Sequence, residues 1–216
     1  MTDLNQALAD APVIAILRSG TAVRFAEVAD TLHRSGVLAV EFTLTTPGAL
    51  GALREFAGTK PAGLALGAGT VTTPADAQRA VEAGARYLIT PAVCLDVIAE
   101  AGRLGVPVLP GAFTPSEILA AWRAGAAMVK LFPASVGGPS YLRSVRAPLP
   151  DIPLVPTGGI ALDQAPDYLT AGATALGMGS PLVGDACEGG DLDALRERAR
   201  TLLDGVRTAR RTAITS

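Results

Sequence analysis

The stretch AGAAMVKLFP, residues 124–133, sets an alanine–glycine pair directly before a run of apolar residues. Glycine tolerates the left-handed backbone that ends a helix, and the run after it has the length of a strand. The same junction recurs in SGVLAVEFT (35–43), AGARYLITP (83–91), LGVPVLPGA (104–112) and AGATALGMGS (171–180). A helix that stops at glycine and returns at once to a strand is the joint of a parallel β/α repeat.

Working outward from these joints, apolar runs at 12–17, 38–43, 64–67, 87–90, 106–110, 128–132, 154–156 and 175–178 read as strands. Between them, 22–34, 74–83, 95–103, 115–123, 165–170 and 191–206 carry apolar residues at spacings of three and four and read as helices. Thr46-Pro47, Thr73-Pro74 and Thr114-Pro115 read as helix starts, each a cap oxygen beside a proline suited to the first turn. Residues 2–9 read as a short leading helix and 210–216 as a frayed tail. Eight such units predict an α/β protein, one (β/α)8 TIM barrel spanning 1–216, with its parallel strands covered by an outer ring of helices. An open doubly wound sheet would carry GxGxxG after its first strand, where this chain has RSGTAV (18–23).

Composition narrows the partners. The net charge is −2 and the basic residues are scattered, which predicts binding to neither nucleic acid nor an anionic membrane. The opening MTDLNQALAD has acids where a secretory signal needs bases, and no apolar stretch approaches roughly 18 residues, so a cytoplasmic protein is expected. Cys94 and Cys187 lack a CxxC or histidine-linked spacing and read as ordinary thiols. His33, the single histidine, falls on a helix surface; without an acidic cluster beside it, neither metal nor other cofactor is expected.

Barrels of this kind work at the carboxyl ends of their strands. The polar residues there are Arg18, Glu41 with Thr43, Gly67 to Thr70, Thr90-Pro91, Pro110-Gly111, Lys130 with Phe132, Thr157-Gly158-Gly159, and Gly177 to Ser180. Lys130 stands out because the chain has only one other lysine, Lys60, and uses arginine for its other side-chain cations. A hydrated ammonium inside an apolar strand is costly unless paired or neutral. Burial that favours the neutral amine makes it a nucleophile near pH 7. Glu41 poses the same problem with opposite sign in VLAVEFTL (37–44) and can shuttle protons if it faces Lys130. The plain alternative is a structural Lys130–Glu41 ion pair. PTGGI (156–160) and GMGS (177–180) end the last two strands, where barrels often bind phosphate. Gly158, Gly159 and Gly179 expose backbone there, and Ser180 adds a hydroxyl. Arg18 is shaped to clamp a carboxylate or phosphate, or is a rim arginine.

These motifs resemble the 2-keto-3-deoxy-6-phosphogluconate (KDPG) aldolases, a family that includes 4-hydroxy-2-oxoglutarate and 6-phosphogalactonate aldolases. The resemblance covers about residues 10–207 and rests on AILR (15–18), VEFTLTTPGAL (40–50), GAGTV (67–71), ITPA (89–92), PGAFTPSE (110–117), VKLFPAS (129–135), GPSYL (138–142), PTGGI and GMGS. It implies a homotrimeric class I aldolase that splits a 2-keto-3-deoxy-6-phospho sugar acid into pyruvate and glyceraldehyde 3-phosphate. By position it implies Lys130 as the imine-forming lysine and Glu41 as the proton shuttle. Thr70 and Pro91 would line the pyruvate end, Phe132 would pack over it, Arg18 would help hold an anionic substrate, and Gly159 and Ser180 would take the phosphate; Thr157, at the end of the seventh strand, is a further candidate substrate contact. Some members carry arginine four residues after the glutamate, where this chain has Thr45. Two rival readings stay open: another phosphate-binding barrel isomerase or synthase in which Lys130 acts by charge alone, and a non-catalytic assembly subunit.

Overall fold

A computed structural model describes residues 4–214. Nine short parallel strands among them form two sheets. The larger curls through β1 (Val13–Leu17), β2 (Ala39–Thr43), β3 (Ala65–Gly69), β4 (Leu88–Ile89), β5 (Val108–Leu109) and β9 (Leu176–Met178), in the spatial order β5-β4-β3-β2-β1-β9. The smaller has β6 (Gly111–Ala112), β7 (Val129–Leu131) and β8 (Leu154–Pro156) in sequence order. Every residue in these strands except Ile16 is buried, the pattern of parallel strands covered on both faces. A large cluster fills the space between strands and helices. A smaller one lies inside the curl, where Ile14, Ala39, Ala65, Ile89, Leu109 and Val155 meet Leu4, Ala7 and Leu8 of α1 (Leu4–Asp10).

Helices return each strand to the next: α2 (Phe25–Arg34), α3 (Ala49–Thr59), α4 (Pro74–Glu82), α5 (Leu95–Leu104), α6 (Pro115–Arg123), α7 (Gly138–Arg146), α8 (Ala165–Thr170), the single turn α9 (Ser180–Val183) and α10 (Leu192–Ile214). Gly36, Gly84, Gly125 and Gly172, at the joints read from sequence, take positive φ of 96°, 106°, 104° and 97°. Thr73 and Thr114 cap α4 and α6, the latter in a reciprocal capping box with Glu117.

Several expectations need correction. Thr46-Pro47 does not start a helix: α3 begins at Ala49 after Gly48, whose φ is 84°. The Thr46 hydroxyl is instead held by Thr43, which has a second bond to the Leu17 carbonyl. The helix expected from Ala22 starts at Phe25. The fifth apolar run is divided at Pro110, which has no N–H to give a ladder. No frayed tail begins at Arg210: α10 continues to Ile214, and Arg210 donates to the Leu8 and Ala9 carbonyls at 3.0 and 2.6 Å, satisfying the open end of α1. Residues 2–3 of the leading helix and 215–216 of the tail lie outside the described residues.

Candidate active site

Lys130 rises from β7 and Glu41 from β2, and both side chains are buried, at 7% and 1% exposure. Parallel pairing sets their heights, because Glu41 is in register with Ile16 and Gly67, and Lys130 with Gly111 and Val155. The two do not form an ion pair; among the described residues every ion pair is an i,i+3 arginine–carboxylate contact. The Lys130 ammonium instead sits 5.0 Å from the centroid of the Phe132 ring. Glu41 Oε2 is buried without a hydrogen-bond partner.

Burial drives the Lys130 pKa below the usual lysine range; the nearby Glu41 carboxylate opposes that shift and the Arg18 guanidinium adds to it. Burial likewise pushes the Glu41 carboxyl upward, against the pull of Lys130 and Arg18. Both shifts favour the neutral forms, an amine with a free lone pair and a carboxyl that can carry a proton.

An open cavity of about 390 Å³ lies at the carboxyl ends of β1, β7, β8 and β9. That volume falls within the usual small-molecule range. Its lining joins Arg18, Lys130, Phe132, Thr157, Gly158, Gly159, Gly179 and Ser180 from four separate strand ends. Thr157 and Gly177 bridge β8 to β9 and so bring the two glycine turns together. Gly158 and Gly159 have φ of 93° and 72°; a β-carbon at Gly158 would meet the Phe132 ring at 2.8 Å and one at Gly159 would meet Ser135 Oγ at 2.5 Å. That wall is therefore backbone by necessity. Phe132 is 40% exposed, an aromatic face left open over the cavity.

Glu41, Thr70 and Pro91 do not line this cavity. Glu41 lines an adjoining enclosed space, and Lys130, Ile16, Thr157 and Gly177 belong to both. Thr70 follows β3 at φ 59°, the single non-glycine residue with positive φ among those described. Such a conformation is strained and is held only by surrounding structure. Pro91 follows β4, its carbonyl occupying the space a side chain on Gly111 would need. His33 lies half-buried on α2, away from this site. No group of three His, Cys, Asp or Glu among the described residues could hold a metal ion, and no described helix is long and apolar enough to cross a membrane.

Two contributions went unread in the sequence. Thr46 Oγ1 accepts from the Ser19 amide at 3.3 Å, so Thr43 and Thr46 anchor the loop that follows Arg18. Gly69 clears the inner face of β3 for the Glu41 carboxyl, which a β-carbon there would overlap. A glycine inside an apolar strand was the available signal, since such glycines often mark a close approach.

The arrangement combines an amine driven toward neutrality, a carboxyl beside it and a backbone cradle with an arginine at the mouth. Residues 4–197 match the family described as "Aldolase: KDPG and KHG aldolase". The chain is 38% identical to a probable 2-dehydro-3-deoxy-6-phosphogalactonate aldolase of Rhizobium meliloti, over 87% of this chain and 88% of that one. It is 41% identical to a 2-dehydro-3-deoxy-phosphogluconate aldolase of Pseudomonas aeruginosa, over 73% of this chain and 70% of that one. Among solved structures it is similar to a KDPG aldolase from Legionella pneumophila, described with pyruvate captured as a covalent carbinolamine; the TM-score is 0.83 at 29% identity, covering 94% of this chain and 98% of that one.

Proposed function

Since the chain belongs to the KDPG and KHG aldolase family and is thereby a class I aldolase, a carbon–carbon lyase, we propose that it cleaves 2-keto-3-deoxy-6-phosphogluconate to pyruvate and glyceraldehyde 3-phosphate. 4-Hydroxy-2-oxoglutarate is a second substrate in this reading, giving pyruvate and glyoxylate. The observation that carries it is the Lys130 amine, buried without an ion-pair partner where the open cavity meets the space that holds Glu41.

The neutral Lys130 amine adds to the keto carbon, and Glu41 protonates the departing hydroxyl so that water leaves a protonated imine. Glu41, now a carboxylate, takes the proton of the substrate's C4 hydroxyl. The C3–C4 bond breaks, its electron pair flows into the iminium as an enamine, and the aldehyde departs. Glu41 returns the proton to C3, and water hydrolyses the imine to pyruvate and free Lys130. Thr157 contacts the pyruvyl end and Phe132 packs over it. Gly158, Gly159, Gly179 and Ser180 cradle the phosphate, and Arg18 balances the anion.

The two sheets are read as one closed eight-stranded barrel in a single domain, with 108–112 as one strand. The Thr157–Gly177 bridge and an inner cluster drawn from both sheets support this. The working unit is read as a homotrimer.

Borohydride reduction in the presence of pyruvate is expected to leave one stable adduct, on Lys130; an unlabelled Lys130 would overturn the imine. Pyruvate release compared across the phosphogluconate derivative, its phosphogalactonate epimer and hydroxy-oxoglutarate then orders the substrates. The Rhizobium relative favours the epimer as a second reading, and a higher kcat/KM for it would establish that reading.

A further inference from the structure

The inner face of β3 carries two glycines, and each leaves a space that another strand fills. A β-carbon at Gly69 would fall into the Glu41 carboxyl, and one at Gly67 would fall into the Tyr87 ring. Glu41 and Gly67 are partners in the β2–β3 register, and neighbouring strands lie only about 4.8 Å apart. The Tyr87 ring therefore stands beside the Glu41 side chain, one pleat repeat below its carboxyl group.

Tyr87 is completely buried, and its hydroxyl has no hydrogen-bond partner within the protein. Glu41 Oε2 is orphaned in the same way. Buried polar groups are nearly always satisfied, and these two are complementary, a phenol that donates and a carboxylate that only accepts. The other members of Tyr87's buried cluster are apolar, among them Leu4, Leu8, Ile14, Ile89, Leu109 and Met128. Phenylalanine would fill the space above Gly67 as well, so packing alone does not account for the hydroxyl. Burial, and then the Glu41 charge, hold the phenol well above its ordinary pKa, so it stays an O–H donor.

We propose that Tyr87 is a positioning residue for Glu41: its hydroxyl, unpaired in this structure, hydrogen-bonds the Glu41 carboxylate from below once that group is charged, and stabilises the form that accepts the substrate's proton. The proposal rests on the reading of Glu41 as the proton carrier. The groups that face Glu41 are Lys130 from β7, Arg18 after β1 and Tyr87 before β4. In the bound complex Lys130 is tied up in the imine, so the acid limb of the kcat profile reports Glu41.

Tyr87→Phe keeps the ring over Gly67 and removes the donor. Losing a hydrogen bond to the charged form should raise the acid limb of kcat by about one pH unit and lower kcat at neutral pH up to about tenfold. KM should change by less than about twofold and borohydride trapping on Lys130 should be intact, because imine formation keeps its amine. An acid limb that superimposes on the wild type overturns the proposal, whatever happens to Tm. In a Glu41→Gln background the same change should leave the residual rate unaltered; an equal fall in both backgrounds would make Tyr87 a packing residue only. Full activity in Glu41→Gln alone would sink the proton-carrier reading, whereas a dead Glu41→Gln with an unmoved limb in Tyr87→Phe sinks only the role of Tyr87.

Discussion

Lys130 and Glu41 are the two buried charged side chains among the described residues, and the structure leaves them near each other without a direct bond. A group whose folded pKa is depressed, as for Lys130, loses stability as pH falls from its unfolded pKa through its folded one. A group whose folded pKa is raised, as for Glu41, loses stability as pH rises through that folded value. Both penalties are present near pH 7. Replacing the two by uncharged residues of similar shape, Lys130→Met with Glu41→Gln, should abolish turnover and raise stability at pH 7–8 by about 1–4 kcal/mol. The single variant Glu41→Gln isolates the carboxyl: its advantage should narrow as pH falls below Glu41's raised pKa, because the wild-type carboxyl is then neutral. Denaturant midpoints across pH read both effects, and a less stable double variant at pH 7 would contradict them. Lys130 and Glu41 were legible in the sequence because a charge in an apolar run is anomalous wherever the run goes. Tyr87 and Gly67 were not, since tyrosine suits any strand and the direction of its hydroxyl depends on what packs beside it.

The elements follow local rules where a single stretch of chain contains the whole interaction. At the start of α6, the Thr114 hydroxyl accepts from the Glu117 amide at 3.3 Å and the Glu117 carboxylate accepts from the Thr114 amide at 2.7 Å. Thr114→Ala should therefore lower stability by about 1 kcal/mol, read as a fall in Tm, while kcat stays at the wild-type value. A fall in kcat with unchanged Tm would mean that the cap positions the site instead. Thr46-Pro47 has the same local signal and fails as a helix start, because the Thr46 hydroxyl is taken by Thr43 and by the Ser19 amide, the latter an interaction across 27 residues that no cap rule contains. α10 persists beyond Arg210 for a similar reason, its guanidinium closing the far end of α1.

On the scale of the whole molecule, the family reading as a homotrimer predicts a light-scattering mass three times the 21.9 kDa of one chain, with a monomer as the outcome that would reject it. The β/α alternation, the glycine-ended joints, Lys130 and Glu41 were determined by the sequence itself, because periodicity, backbone permissiveness and the cost of a buried charge belong to short segments. Tertiary structure alone decided that Glu41 lies in a space adjoining the open cavity with Lys130 common to both, that Thr46 ties down the loop after Arg18 instead of starting a helix, and that Gly67 and Gly69 make room for Tyr87 and Glu41. Those outcomes depend on the register between strands far apart in sequence, and register is set by the packing of the whole sheet and its helices, not by any residue's own preference.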